Sequence, residues 1–121
     1  MGVEGTRVII VEDEALLALE MQDMLRDAGC IVSGVAARIE PALELADHAE
    51  FDAALLDLNL AGHRIDIVAR RIAARGLPII FITGYGQRTL PPGLTAPVVE
   101  KPCTADEVLP LLAALAERRR G

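Results

Sequence analysis

The chain has 121 residues, 52% of them hydrophobic but only 2% aromatic, and a formal net charge of -6. That length holds one domain with a core of Leu, Ile, Val and Ala, and the acidic balance argues against gripping nucleic acid through a basic face. No stretch is long enough and free enough of charge to cross a membrane, and Glu12, Asp13 and Glu14 interrupt the early apolar run that a secretory leader would need. Cys30 and Cys103 are far apart and form no metal or redox motif, which points to a cytoplasmic chain with reduced thiols. The basic cluster of Arg118, Arg119 and Arg120 reads as a solvated helix end that suits the helix dipole.

Strand and helix signals alternate along the chain. A strand is predicted over Arg7–Val11, ending in Glu12-Asp13-Glu14. Over 14–28 the apolar residues Leu17, Met21, Met24 and Ala28 recur at helical spacing, and Gly29 supplies the stop. A weaker strand at Ile31–Ala36 precedes a helix over about 39–46, with Pro41 in its first turn. The greasy run Ala53-Ala54-Leu55-Leu56 forms the next strand and ends at Asp57. A loop through Gly62 leads into a helix over about 65–75, closed by Gly76. The most apolar strand is 78–83, and Val98–Glu100 is the last.

Thr104 opens the final helix, and its capping-box spacing to Glu107 supports that start. Pro110 lacks the amide that the second turn needs, so a kink or a displaced start is expected there. Between Thr83 and Val98, three glycines (84, 86, 93) and the pair Pro91-Pro92 make a fourth helix weak or absent. Strands apolar on both faces that alternate with helices imply a five-stranded, doubly wound parallel sheet in an α/β fold.

In such a sheet the carboxyl ends of all strands share one edge, where open α/β folds bind their ligands. Glu12, Asp13, Asp57, Thr83 and Lys101 all end or follow strands, so they should converge there. Asp57 alone is equally a turn starter, and Glu12 and Asp13 alone equally suit a helix N-terminus. Their company favours a site. Clustered carboxylates repel each other unless a cation joins them, and hard oxygen ligands of this kind suit magnesium. A carboxylate nucleophile can accept a phosphoryl group, a reaction catalysed mostly by positioning and charge neutralisation. Asp57 is then the acceptor, with the Lys101 ammonium and the Thr83 hydroxyl covering phosphoryl oxygens. Pro102 is a candidate for a cis peptide that aims Lys101 inward.

Four segments carry a resemblance, in order and in register from about Arg7 to the last helix. They are Val8-Ile9-Ile10-Val11-Glu12-Asp13-Glu14, Leu55-Leu56-Asp57-Leu58-Asn59-Leu60, Phe81-Ile82-Thr83-Gly84-Tyr85-Gly86 and Glu100-Lys101-Pro102. Together they resemble a response-regulator receiver domain of two-component signalling. The resemblance implies flavodoxin-like topology with strand order 2-1-3-4-5, phosphorylation of Asp57 by a histidine kinase, and magnesium held by Glu12, Asp13, Asp57 and the backbone carbonyl of Asn59. It implies no turnover of a separate substrate, only self-directed phosphotransfer and autodephosphorylation. Thr83-Gly84-Tyr85-Gly86, with prolines at 91, 92 and 97, resembles the single-domain "FAT GUY" subgroup, whose partner kinases are of the HWE or HisKA2 type. The expectation is a free-standing receiver over 1–121, without an output domain, that signals to a downstream protein or phosphotransfer partner through the 84–95 segment.

The chain departs from the family pattern in places. Receivers commonly carry an aromatic switch residue three positions before the lysine; here it is Val98, with Tyr85 as the possible substitute. The subgroup usually has Phe where Cys103 stands, and receivers tend to have Pro soon after Asp57, where this chain has Ala61-Gly62. His63 near that loop reads as a solvated loop residue. A flavodoxin-type electron carrier shares the fold class but needs a hydroxyl- and glycine-rich phosphate loop where Glu12-Asp13-Glu14 stands. A degenerate, phospho-independent adaptor is the nearer rival, and the filled chemical positions argue against it.

Overall fold

Apolar runs with no polar side form strands that must be covered on both faces, and the chain alternates them with amphipathic helices. The structure, a computed structural model, describes residues 2–60, 65–84 and 90–120, with residues 119 and 120 described by their backbone alone. In chain order the elements are β1 (Arg7–Val11), α1 (Ala15–Asp27), β2 (Ile31–Ala36), α2 (Ile39–His48), β3 (Ala53–Asp57), α3 (Ile65–Ala74), β4 (Ile79–Thr83), β5 (Val98–Glu100) and α4 (Ala105–Arg120). The strands form one parallel sheet in the order β2-β1-β3-β4-β5. This is the doubly wound, flavodoxin-like topology that the receiver resemblance implies. Tyr85, His63 and the loop through Gly62 lie outside the described residues.

The two-residue alternation of a strand divides the core in two. Ile9 and Val11 of β1, Ala54 and Leu56 of β3, and Ile79 and Phe81 of β4 pack with Ala42 and Ala46 of α2 and with Val68 and Ile72 of α3. Their neighbours Val8, Ile10, Ala53, Leu55, Ile80 and Ile82 pack on the other face with Met21 and Leu25 of α1 and Val108 and Leu112 of α4. Both layers are closed to water, each fully buried Leu or Ile contributing about 1.5–3 kcal/mol.

Glycine ends two of the helices. Gly29 and Gly76 have φ of 89° and 75°, a left-handed conformation that side chains resist. After α1 the amides of Gly29 and Cys30 bond the carbonyls of Arg26 and Leu25; after α3 those of Gly76 and Leu77 bond Ala73 and Ile72. Both stops are therefore Schellman motifs. Arg75, beside the second stop, reaches across to the end of α2. Its guanidinium donates to the carbonyls of Ala46 (2.6 Å) and Ala49 (3.0 Å) and lies 5.0 Å from the centre of the Phe51 ring.

Pro110 does not displace the start of α4. The helix begins at Ala105, next to Thr104, whose carbonyl accepts from the amides of Glu107 and Val108. It then continues through Pro110 to Arg120. Pro110 and Asp106 are both exposed, so water can serve the Asp106 carbonyl that Pro110 leaves without its helical donor. Residues 84 and 90–97, the described part of the β4–β5 connection, contain no helix. Leu90, Leu94, Ala96 and Val98 instead rest on the core beside α3.

The edge strand β2 slips register between Val8 and Ile9 of its neighbour. Gly34 follows the slip, and a Cβ there would overlap Cδ2 of Leu45 in α2. On strand propensity alone alanine would be the better residue. We expect Gly34→Ala to destabilise instead, by about 1–2 kcal/mol, because Leu45 must leave its rotamer. Urea denaturation measures this, and a stability equal to the parent or higher would show that Leu45 yields without cost.

Candidate functional site

Four strand tips build the site, and three backbone hydrogen bonds extend the ladder just past their ends. The amide of Glu12 donates to Ala36 (2.9 Å), that of Leu58 to Ile82 (2.8 Å), and that of Lys101 to the Thr83 carbonyl (2.7 Å). These bonds hold Glu12, Asp57, Thr83 and Lys101 at the carboxyl edge of the sheet. The peptide between Lys101 and Pro102 is cis, as the sequence suggests, and Lys101 points into the site.

Three polar side chains lie inside this rim almost without contact with water: Glu12 (1% exposed), Asp57 (1%) and Thr83 (0%). The Lys101 ammonium joins them. Its Nζ lies 3.3 Å from Oε2 of Glu12 and 3.3 Å from Oδ2 of Asp57. The other oxygen of Asp57, Oδ1, accepts from the Asn59 amide at 2.8 Å. That bond sets the carboxylate's orientation. It is also what the structure shows of Asn59, whose expected contribution was its carbonyl.

Glu14 enters the site as well, which sequence reasoning missed. Its Oε1 lies 3.2 Å from Lys101 Nζ, while its side chain makes no capping bond to α1. Its amide donates to Oε2 of Glu12 at 3.1 Å. The run Glu12-Asp13-Glu14 was the available signal, but a third acid there is equally at home in a helix N-terminus.

Asp13 is exposed at the mouth, and its carboxylate can bring an oxygen within 4.8 Å of oxygens from Glu12 and Asp57. Three carboxylates, those of Glu12, Glu14 and Asp57, thus meet one ammonium, and Asp13 lies beside two of them. Oε1 of Glu12 and Oγ1 of Thr83 are buried with no hydrogen-bond partner among the described residues. A buried carboxylate oxygen left without a partner beside oxygens of Asp13 and Asp57 suits a hard divalent cation that accepts oxygen ligands. The orphaned hydroxyl is a donor with nothing to donate to. Val98 lies opposite Phe81 in the β4–β5 register, half-buried against the core beside α3, and brings no aromatic ring to the rim.

The electrostatics follow from burial. Loss of water raises the Glu12 carboxyl from 4.5 to about 7, the nearby Asp57 charge adds to the rise, and the Glu14 amide and Lys101 ammonium oppose it. Burial works against the Lys101 ammonium, yet the charges of Asp57 and Glu12, helped by Glu14, hold it above the usual lysine range. A carboxyl raised in the folded state stabilises the fold below its unfolded value near 4.5, and that stability is lost as pH rises through about 7. In metal-free protein we expect stability to fall across this window by up to about 3 kcal/mol. Denaturation midpoints compared with Glu12→Gln measure it; the variant should lose this slope, and identical profiles would assign the slope elsewhere.

Comparison with known proteins places this geometry. A family model for the response regulator receiver domain matches residues 8–112. The transcriptional regulatory protein PdtaR of Mycobacterium tuberculosis is 31% identical over 120 residues, covering 94% of this chain and 58% of that protein. The solution structure of SdrG from Sphingomonas melonis Fr1 is 34% identical with a TM-score of 0.76, over 92% of this chain and 96% of that one. The crystal structure of the response regulator PhyR from Brucella abortus is 31% identical with a TM-score of 0.81, over 96% of this chain and 49% of that one. The chain therefore spans 58% of the curated relative and about half of that PhyR chain. With the sheet order, the rim of acids and the lysine in place, the chain belongs to the response regulator receiver domain family.

Proposed function

We propose that the chain acts as a response-regulator receiver whose Asp57 accepts a phosphoryl group from a histidine kinase. One observation carries this reading: Asp57 is held in a nearly dry rim, oriented by the Asn59 amide, with the Lys101 ammonium 3.3 Å away and the Thr83 hydroxyl without a partner among the described residues. In the transfer the N–P bond of a phosphohistidine breaks and a carboxylate oxygen of Asp57 bonds phosphorus, giving an acyl phosphate. Lys101 then follows the negative charge from the carboxylate to the phosphoryl oxygens, and Thr83 gains the acceptor it lacks.

Glu12, Asp13, Asp57 and the Asn59 carbonyl are the groups that would hold magnesium. The ion, when bound, supplies the positive charge that these acids and the phosphoryl group need. The chemistry is confined to the protein's own aspartate, gaining and losing phosphate, with no separate substrate turned over.

A phosphorylation-dependent change in the 84–95 segment, of which residues 85–89 lie outside the described residues, is the natural route to a downstream protein or phosphotransfer partner. A kinase of the HWE or HisKA2 type is the partner that the Thr83-Gly84-Tyr85-Gly86 stretch favours. The setting we infer is the cytoplasm. No helix among the described residues is long and apolar enough to cross a membrane, which agrees with this.

Intact mass after exposure to acetyl phosphate tests the core of the reading. The expected result is gain of one phosphoryl group that requires magnesium. An unchanged mass, with beryllofluoride also leaving the amide spectrum unaltered, would favour a phospho-independent adaptor instead.

A further inference from the structure

The lysine that should receive the phosphoryl group is already occupied by an exposed acid. The Glu14 side chain is 64% exposed, yet it turns back to place Oε1 3.2 Å from Lys101 Nζ. Nothing local requires that turn. Glu14 is the N-cap residue of α1, in extended backbone conformation, and its carboxylate makes no capping bond. Its carbonyl accepts the first helical bond from Ala18, and its amide bonds Glu12, so its backbone is secured without the side chain.

The carboxylate also lines an open groove that leads along α1 to Lys101. Glu14, Glu20 and Glu100 surround this groove with Leu16 and Gly84, and Lys101 is the one cation among its described lining residues. Among the described residues this groove beside Lys101 therefore bears net negative charge, and its cation is shared with an acid at the mouth.

We propose that Glu14 is a specificity-determining residue that selects against small anionic phosphoryl donors. The proposal rests on the phosphoacceptor reading above. A donor such as acetyl phosphate arrives as an anion and must displace Glu14 from Lys101 while crossing the field of Glu20 and Glu100. A protein donor meets the same rim differently, because its own basic and neutral surface can neutralise those acids as it docks. The chemical step is the same for both. For acetyl phosphate the acyl O–P bond breaks, acetate leaves with the electron pair, and an Asp57 oxygen bonds phosphorus. Glu14 takes no part in that exchange; it sets how readily an anion reaches Lys101.

The test is the rate of Asp57 phosphorylation as a function of acetyl phosphate concentration, at saturating magnesium and at low and high ionic strength. Glu14→Gln keeps the length and both backbone bonds and removes the charge. Its half-saturating acetyl phosphate concentration should fall about threefold at low salt, and Glu14→Lys should lower it about tenfold, as electrostatic steering of an anion requires. The maximal rate should change much less, and both gains should shrink at high salt as the rim is screened. A merely structural role would move the maximal rate and ignore salt. Half-saturation unchanged in both variants, while Asp57 is still phosphorylated, would overturn this proposal alone. Absence of phosphorylation in the parent chain would instead remove the phosphoacceptor reading, and this proposal with it.

Discussion

Asp57→Asn should abolish phosphorylation while leaving the fold intact. Asparagine keeps the shape of the side chain and one carbonyl oxygen, so the amide of Asn59 retains an acceptor like the Oδ1 it now bonds at 2.8 Å. It loses the nucleophilic oxygen pair, and an amide does not take up a phosphoryl group under these conditions. The expected mass gain with acetyl phosphate and magnesium is therefore nil. The variant should also be no less stable than the parent at neutral pH. Asp57 is one of two nearly fully buried carboxylates sharing Lys101, and its charge helps to raise Glu12 to about 7. Removing that charge relieves Glu12, which should titrate lower. A variant that still gains a phosphoryl group would place the acceptor elsewhere, with Asp13 the first alternative.

Lys101→Met should be damaging in two separable ways. Methionine fills a similar volume but takes the cation from between Glu12, Asp57 and Glu14. Two buried carboxylates then face each other with no cation between them, a loss of about 3 kcal/mol at about pH 8. The loss should be smaller at about pH 5, because Glu12, which titrates near 7, is then protonated. Magnesium should restore part of it by binding the folded state alone. Phosphorylation from acetyl phosphate should slow about a hundredfold even where the variant is fully folded, since a preorganised charge at the transferring group is gone. Denaturant midpoints at the two pH values, set beside labelling rates on folded protein, separate the effects. A rate near that of the parent would demote Lys101 to a structural counter-ion.

Most of the fold could be read from the chain because its signals are local and agree with one another. The structure follows the expected limits of β1, β2 and β3 residue for residue, with Thr6 and Glu12 flanking β1 and Asp52 preceding β3. Gly29 and Gly76 stop their helices through motifs that need a positive φ. α2 reaches His48, two residues past the expected end, because nothing in Asp47 or His48 breaks a helix. Of the two outcomes expected at Pro110, a displaced start does not occur: the helix begins at Ala105 and runs through the proline, where the orphaned carbonyl belongs to the exposed Asp106.

The site was legible in its membership and not in its pairing. That Glu12, Asp57, Thr83 and Lys101 share an edge follows from parallel strands. That Glu14 prefers the lysine to its own helix does not, because its partner lies 87 positions away and only the assembled rim brings them together. Nor does any local pattern show that Oε1 of Glu12 and Oγ1 of Thr83 are left without partners. The order of the strands came from family resemblance, since short apolar runs carry no label for their neighbours.

The partition of side chains along β1, β3 and β4 has an evolutionary corollary. Substitutions beneath α1 and α4 and substitutions beneath α2 and α3 touch different neighbours, so their effects on stability should simply add. Each layer can drift on its own. One flank of the protein is therefore able to acquire a new binding surface while the opposite flank keeps its old packing, and only the charged tips of the strands must answer to both.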